Sequence, residues 1–161
     1  MGGSGRHVEV HAPLADLAVL SASVPDDADV EVSVELSSYP GGVMAAGTVS
    51  APWKGECRRC GGPVGGRLAV GVRERFEPGT AAGVTRDDGD AYELGDDVVD
   101  LEPLARDALL LELPLAPLCA DACRGLCPRC GADLNAGDCS CPADVDPRWS
   151  ALDQLRSPQG G

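Results

Sequence analysis

The stretch CADACRGLCPRCGADLNAGDCSC, residues 119–141, holds six of the chain's eight cysteines and gives the clearest indication of how the chain folds. Within it, Cys127 and Cys130 are separated by two residues in CPRCG, the spacing of a zinc knuckle, in which a tight turn presents two thiolates to one metal ion. Gly131 allows the positive φ that this turn requires. Cys139 and Cys141 follow after ADLNAGD, whose turn-forming residues let the chain fold back, so four sulfurs can meet in one tetrahedral zinc site.

A second CxxCG motif lies upstream, at Cys57 and Cys60 in GECRRCGGP, and its two thiolates need two partners. Cys119 and Cys123 are the cysteines that remain for them. The sequence therefore predicts two structural zinc ions, each held by four thiolates. The first site is Cys57, Cys60, Cys119 and Cys123, and the second is Cys127, Cys130, Cys139 and Cys141. Sequence alone does not fix which pairs meet, so one site with spare thiols, and disulfides or redox chemistry, stay open as alternatives.

Composition indicates a thin hydrophobic core that metal binding would support. The 161 residues include 21 Gly, 13 Pro and one Phe, so much of the chain must be loop. Structural zinc would add folding free energy that packing does not supply. The formal net charge of −13 argues against a protein whose whole surface coats nucleic acid. It favours solubility, a basic protein partner or simply a solvated acidic surface.

Hydrophobic runs in this chain are short, and none reaches the roughly 18 residues that a membrane span needs. No membrane association is therefore expected. Residues 12–24 resemble a weak signal-peptide core, but Asp16 interrupts them. We expect a cytoplasmic protein, because clustered cysteines in that reducing compartment bind metal more often than they form disulfides. The sequence does not indicate an oligomeric state.

Four segments alternate apolar and polar residues and predict strands: 7–12, 29–36, 43–53 and 64–76. We expect their core-facing side chains to include Val30, Val32, Val34, Leu68, Val70 and Val72. The opposite face of the last strand carries Arg67, Arg73 and Arg75, as either a solvated outer face or an anion-binding one. His7 and His11 are expected to face solvent and not to bind metal. The acid-rich segment 77–97 is predicted to be loop.

A single main helix is predicted at about 101–113, with Asp100 as N-cap, Leu104 and Ala108 facing the sheet, and Pro114 ending it. A short C-terminal helix should follow Asp146. The predicted fold class is α+β: an antiparallel sheet of about four to six strands, open or barrel-like, with one main helix and a C-terminal cysteine-rich zinc-binding extension. We place a β-rich domain, including the first knuckle, at 1–118 and the extension at 119–161.

Signatures of catalysis are missing from the sequence. There is no GxSxG elbow, phosphate loop or dinucleotide fingerprint, and CPRC lacks the upstream HxE or CxE of zinc deaminases. Four thiolates leave a zinc ion no open position for water. The glycines and proline after Cys60 disfavour the helix start that a thioredoxin-like CxxC needs. We therefore expect a non-enzymatic protein, with a zinc-dependent redox sensor as a weaker alternative.

Basic residues flank both knuckles, in spite of the acidic composition. They are Lys54, Arg58 and Arg59 around the first knuckle, and Arg124 and Arg129 in the second cluster. If the two clusters adjoin, these side chains would form a patch able to contact RNA phosphates, as zinc knuckles often do. The alternative is that they offset the negative charge of the zinc–thiolate centres.

The chain resembles the YceD family of large ribosomal RNA accumulation proteins. The blocks that carry the resemblance are WKGECRRCGGPV, DLEPLARDALLLELPLAPLC, CRGLCPRCGADLN, CSC and DPRWSALDQL, in this order. The resemblance implies a non-enzymatic role in accumulation or processing of large-subunit ribosomal RNA, and hence in ribosome biogenesis. The partner would be ribosomal RNA or a pre-ribosomal particle or, if the chain is an acidic adaptor, a basic ribosomal protein. Not all members carry the second cysteine cluster, so the zinc prediction rests on the spacing in this chain.

Overall fold

The computed structural model describes residues 5–79, 91–95, 98–142 and 148. They contain seven strands and one α-helix. The strands are β1 (Arg6–Pro13), β2 (Ala18–Val19), β3 (Ala22–Ser23), β4 (Asp29–Tyr39), β5 (Gly42–Glu56), β6 (Pro63–Pro78) and β7 (Ala91–Leu94), and the helix is α1 (Glu102–Glu112). The chain divides into two compact units, the sheet unit (Met1–Cys123) and the knuckle unit (Arg124–Gly161). All of these strands and the helix belong to the sheet unit.

The long strand β5 lies at the centre of a single sheet. Along one of its edges run β4 and, further toward its C-terminal end, the β2–β3 hairpin; β6 runs along the other edge. β1 pairs with β4 on one side and β7 pairs with β6 on the other, and only the β6–β7 pairing is parallel. Among the described strands, β1, β2 and β7 each pair with one neighbour only, so the sheet is open and does not close into a barrel.

The alternation of β4 places its valines in the core, as predicted. Val30, Val32 and Val34 are buried, and Val32 lies opposite Val49 of β5. On β6, however, Leu68, Val70 and Val72 are only half-buried, and the buried residue of that strand is Phe76. Phe76 belongs to the same buried cluster as Leu104 and Leu109 of α1, the helix that packs mainly against β5 and β6.

The helix begins and ends close to the predicted bounds. The Asp100 carboxylate accepts a hydrogen bond from the Glu102 backbone N–H at 3.0 Å, although Leu101 occupies the N-cap position. Leu104, Ala105 and Leu109 are buried against the sheet, whereas Ala108 is only half-buried, contrary to expectation. The inward stripe of the helix is therefore turned toward Ala105 and Leu109 and away from Ala108.

Three strands were not predicted. β2 and β3 have two residues each, too few to show an alternating pattern. β7 lies within the acidic segment predicted to be loop; its Tyr92 stacks on Phe76 with ring centroids 5.3 Å apart, which joins this strand to the core. The rest of the acidic segment, 80–90 and 96–97, and the predicted C-terminal helix lie outside the described residues, apart from Arg148.

Candidate metal centres

The first centre is formed by the Sγ atoms of Cys57, Cys60, Cys119 and Cys123, which all lie within 4.8 Å of one another. Cys57 Sγ is 3.8 Å from Cys123 Sγ, and Cys60 Sγ is 3.7 Å from Cys119 Sγ. A tetrahedron of sulfurs around zinc, with zinc–sulfur bonds near 2.3 Å, has edges of about 3.8 Å. These separations exceed a disulfide bond, at about 2.05 Å, and match the zinc geometry. The four thiols therefore fit the predicted ion.

The sheet positions one half of this centre and the helix the other. Cys57 directly follows β5, and its knuckle is closed by two backbone hydrogen bonds: Cys57 N–H to Gly62 O, and Gly61 N–H to Cys57 O, both 2.8 Å. Gly61 has φ of 70°, the positive value expected for this turn. The segment after α1 is brought alongside because Arg58 N–H donates to Pro117 O at 2.9 Å.

Arg59 joins the two halves of the first centre. Its guanidinium donates to the backbone carbonyl of Cys123 at 2.8 Å and to that of Asp121 at 3.1 Å. One side chain of the knuckle thus binds the segment that carries the other two cysteines. For Arg59 the sequence suggested either an RNA contact or compensation of the zinc–thiolate charge, and nothing in the spacing of its neighbours indicated this structural role.

The second centre repeats the backbone design of the first. Cys127 N–H donates to Ala132 O at 2.8 Å, Gly131 N–H donates to Cys127 O at 2.9 Å, and Gly131 has φ of 72°. The Sγ atoms of Cys127, Cys130, Cys139 and Cys141 again lie within 4.8 Å of one another. This division of the eight cysteines is the one predicted from the sequence.

Side chains around the second centre hold its loop. Asn135 Oδ1 accepts a hydrogen bond from the Arg124 N–H at 2.7 Å, and the Arg124 guanidinium forms an ion pair with Asp138. Leu134 N–H donates to Gly125 O at 2.9 Å. The ADLNAGD segment is therefore folded back by specific contacts, as its turn-forming composition predicted.

Without a cation, the thiols of each centre differ widely in acidity. In the first centre, N–H groups of Cys60 and Cys119 directed at the Cys57 sulfur lower its pKa to about 6, while the neighbouring Cys123 thiol raises the pKa of Cys119 to about 12. In the second centre, the N–H groups of Cys130 and Arg129 lower the pKa of Cys127 to about 6, and Cys130 raises that of Cys141 to about 12. Four thiolates can share such a site only when a cation offsets their repulsion.

The other predicted binding residues occupy distinct environments. Lys54 and Arg58 are exposed and line one cleft of about 650 Å³ between the β2–β3 hairpin and the first knuckle. Arg129 lies in the knuckle unit. The patch of five cations predicted from the sequence therefore draws its members from both units.

Neither histidine takes part in a metal group among the described residues. His11 faces solvent and approaches Glu9 at 3.2 Å. On the outer sheet face, Arg67 forms an ion pair with Glu31, and the hydrogen bond from Arg67 lowers the pKa of that carboxyl. Within the same described part of the chain, no helix combines the length and apolar character needed to cross a bilayer.

Comparison with known proteins identifies relatives over most of the chain. An uncharacterized protein of Mycobacterium bovis is 36% identical over 154 residues, covering 95% of this chain and 74% of that protein. An uncharacterized protein of Mycobacterium leprae is 34% identical over 144 residues, covering 89% of this chain and 64% of the relative. The chloroplastic "Large ribosomal RNA subunit accumulation protein YCED homolog 1" of Arabidopsis thaliana is 36% identical over 59 residues, 36% of this chain and 18% of that protein. No solved structure matches.

Residues 45–156 match the family described as "Large ribosomal RNA subunit accumulation protein YceD". The matched range includes most of β5, the whole of β6, β7 and α1, and all eight cysteines of both candidate centres. The resemblance read from the cysteine blocks is thereby confirmed. The chain belongs to the YceD family of large ribosomal RNA subunit accumulation proteins.

Proposed function

We propose that this protein supports the accumulation of large-subunit ribosomal RNA as a non-enzymatic, zinc-stabilised adaptor that binds a basic protein of the large-subunit precursor. The observation that carries the proposal is that two arginines beside the cysteine motifs make intramolecular contacts. Arg59 donates to the backbone carbonyls of Asp121 and Cys123, and Arg124 forms an ion pair with Asp138. Two of the five candidate RNA-binding cations thus serve the protein's own structure. The remaining surface belongs to a chain of net charge −13, which suits a basic partner.

Zinc has a structural role in this proposal. Each group of four cysteines would hold one ion as four thiolates, and a four-coordinate site leaves no position for a reacting water. Metal binding would then fix the end of β5 against the segment after α1. A cytoplasmic setting, in which the thiols remain reduced, is part of the same proposal.

Direct RNA contact is the second candidate, and one observation favours it. Lys54 and Arg58 are exposed on one cleft beside the first centre, and contact with phosphates would cost Arg58 only a long hydrogen bond to Ser21 at 3.4 Å among the described residues. Two cations can neutralise only a few phosphates. RNA affinity should therefore be low and should fall only gradually as the salt concentration rises. The scarcity of aromatic residues, 3% of the chain, leaves little base stacking for sequence preference.

Affinity capture with and without nuclease distinguishes the two candidates. The adaptor predicts that tagged full-length protein retains large-subunit precursor proteins after ribonuclease treatment. Their complete loss would favour the RNA contact. A matched pair of charge reversals adds a functional readout in a deletion strain. Lys54→Glu with Arg58→Glu should reduce ribosomal RNA only if RNA is bound there, and Arg73→Glu with Arg75→Glu on the outer sheet face is the control.

A further inference from the structure

The strand β1 ends the sheet on one side, and its outer edge carries no paired strand among the described residues. It pairs with β4 along its full length, from Arg6 opposite Leu36 to Pro13 opposite Asp29. Backbone N–H and C=O groups alternate along such an edge and can bond a further strand. β1 is therefore a regular template of eight residues for an extended peptide.

An apolar groove lies beside this edge, on the face of the sheet that α1 shares. α1 packs mainly on β5 and β6, and Val30, Val32 and Val34 of β4 are buried on the same face, so the part of this face left uncovered lies on β1. The resulting groove has a volume of about 550 Å³ and is lined by Val8, Val10 and Val32 on the sheet side and by Val99 and Leu101 at the start of the helix. Val10 remains 41% exposed there.

The groove and the edge would recognise the same ligand in complementary ways. A strand added to β1 would direct every second side chain into the groove, where apolar residues fit best. Its intervening side chains would lie beside His7, Glu9 and His11, which occupy the opposite face of β1. Lys or Arg at those positions would gain from Glu9, because opposite charges on neighbouring strands attract.

Charge also decides between a foreign strand and a second copy of this chain. Two copies would each carry a net charge of −13, and antiparallel pairing centred on Glu9 would place two carboxylates opposite each other. A basic protein has the opposite charge and gains from the same surface. We propose that β1 and the adjoining groove bind an extended segment of a basic protein, with apolar and Lys or Arg residues in alternation, as an added strand.

This inference rests on the proposed adaptor function for its choice of partner, and the two can fail separately. The adaptor is tested by capture of precursor proteins and by ribosomal RNA levels. The docking site is tested in vitro with defined peptides. Capture without peptide binding would move the docking site elsewhere on the protein and leave the adaptor intact.

The experiment uses zinc-loaded full-length protein and a fluorescent peptide of alternating Val and Lys with blocked ends. Fluorescence anisotropy measures its dissociation constant, and amide hydrogen exchange maps the contact. We expect binding with slower exchange in β1. Two control peptides should bind at least tenfold more weakly: one with Glu in place of Lys, and one with alternate backbone nitrogens methylated on the edge that would pair. Equal binding of the methylated peptide, or no binding of the parent peptide, would overturn the proposal.

Three variants place the contact on the protein. Val10→Lys on β1 and Val98→Lys on the groove rim, where Val98 is 64% exposed, should each weaken binding at least tenfold. Leu111→Lys is the matched control, because Leu111 is 87% exposed on α1 and does not line the groove. Circular dichroism checks folding, and Val98→Lys replaces a side chain that is mostly exposed. Equal loss in all three variants, or a dimer of the parent chain that Val10→Lys dissociates, would contradict a basic-peptide site.

Discussion

Arg59 provides the sharpest test of how the first centre is assembled. Its guanidinium donates two hydrogen bonds, one to the backbone carbonyl of Cys123 and one to that of Asp121. In each bond the donor is charged and the acceptor is neutral. Bonds with one charged partner contribute about 1.5–3 kcal/mol when buried. Since Arg59 is exposed, we take about 1 kcal/mol for each bond, or about 2 kcal/mol together. Arg59→Ala should therefore weaken zinc binding at the first centre about 30-fold, within the range seen for outer-shell partners of metal ligands.

The assay is a competitive zinc titration against a chromophoric chelator, with the second centre as an internal reference. Arg58→Ala is the matched control, since Arg58 is adjacent and exposed, and among the described residues its side chain bonds only Ser21, at 3.4 Å. Arg59→Lys separates structure from charge: it keeps the cation but removes the guanidinium nitrogen Nη1, which donates to both carbonyls. If Arg59→Ala binds two zinc ions with unchanged affinity, the proposed bridging role is wrong.

Three further predictions address the metals, the core and pH. Cys130→Ser should reduce bound zinc from two ions to one by native mass spectrometry while the sheet unit stays folded, and a variant retaining two would contradict the division of cysteines. Phe76→Ala, at a fully buried position, should lower the free energy of unfolding by about 3–5 kcal/mol in urea denaturation of zinc-saturated protein, whereas Leu111→Ala should change it by less than about 0.5 kcal/mol. Burial and the hydrogen bond to Asp107 raise the pKa of Tyr92 to about 12. Because the folded chain keeps a proton that the unfolded chain loses near pH 10, stability should fall between about pH 10 and 12, and Tyr92→Phe should remove that part of the fall.

The division of the eight cysteines into two groups of four could be predicted because CxxCG encodes its own geometry. Each knuckle needs only a turn and a glycine of positive φ, and Gly61 and Gly131 both meet that condition. Pairing Cys57 and Cys60 with Cys119 and Cys123 followed from counting, since the other four cysteines satisfied each other locally. The long strands could also be predicted, because alternation of apolar and polar residues over eight or more positions does not fit a helix.

What the sequence could not provide were features set by distant packing. β7 pairs with β6, and its Tyr92 ring stacks on the Phe76 ring. No local sequence pattern connects these two segments. How far each side chain of β6 is buried depends on where α1 lies over the sheet. Val70 is half-buried, whereas Phe76 is fully buried. The charge of Arg59 can be read from the sequence and suggested a phosphate contact. Its hydrogen bond to a backbone carbonyl 64 residues away cannot be predicted from the sequence.

The two centres also differ in how much chain each one closes. Cys57 and Cys123 are 66 residues apart, and the intervening chain contains β6, β7 and α1. The second centre takes all its ligands from 127–141. On a nascent chain, the first knuckle must therefore wait until the sheet and helix have been synthesised, and it can complete its ligand set only when α1 has docked. A crosslink across a loop of that length removes about 4 kcal/mol of chain entropy from the unfolded state. If the centres bind zinc as proposed, zinc supply should control the yield of the finished sheet unit during synthesis, while the knuckle unit loads locally and last.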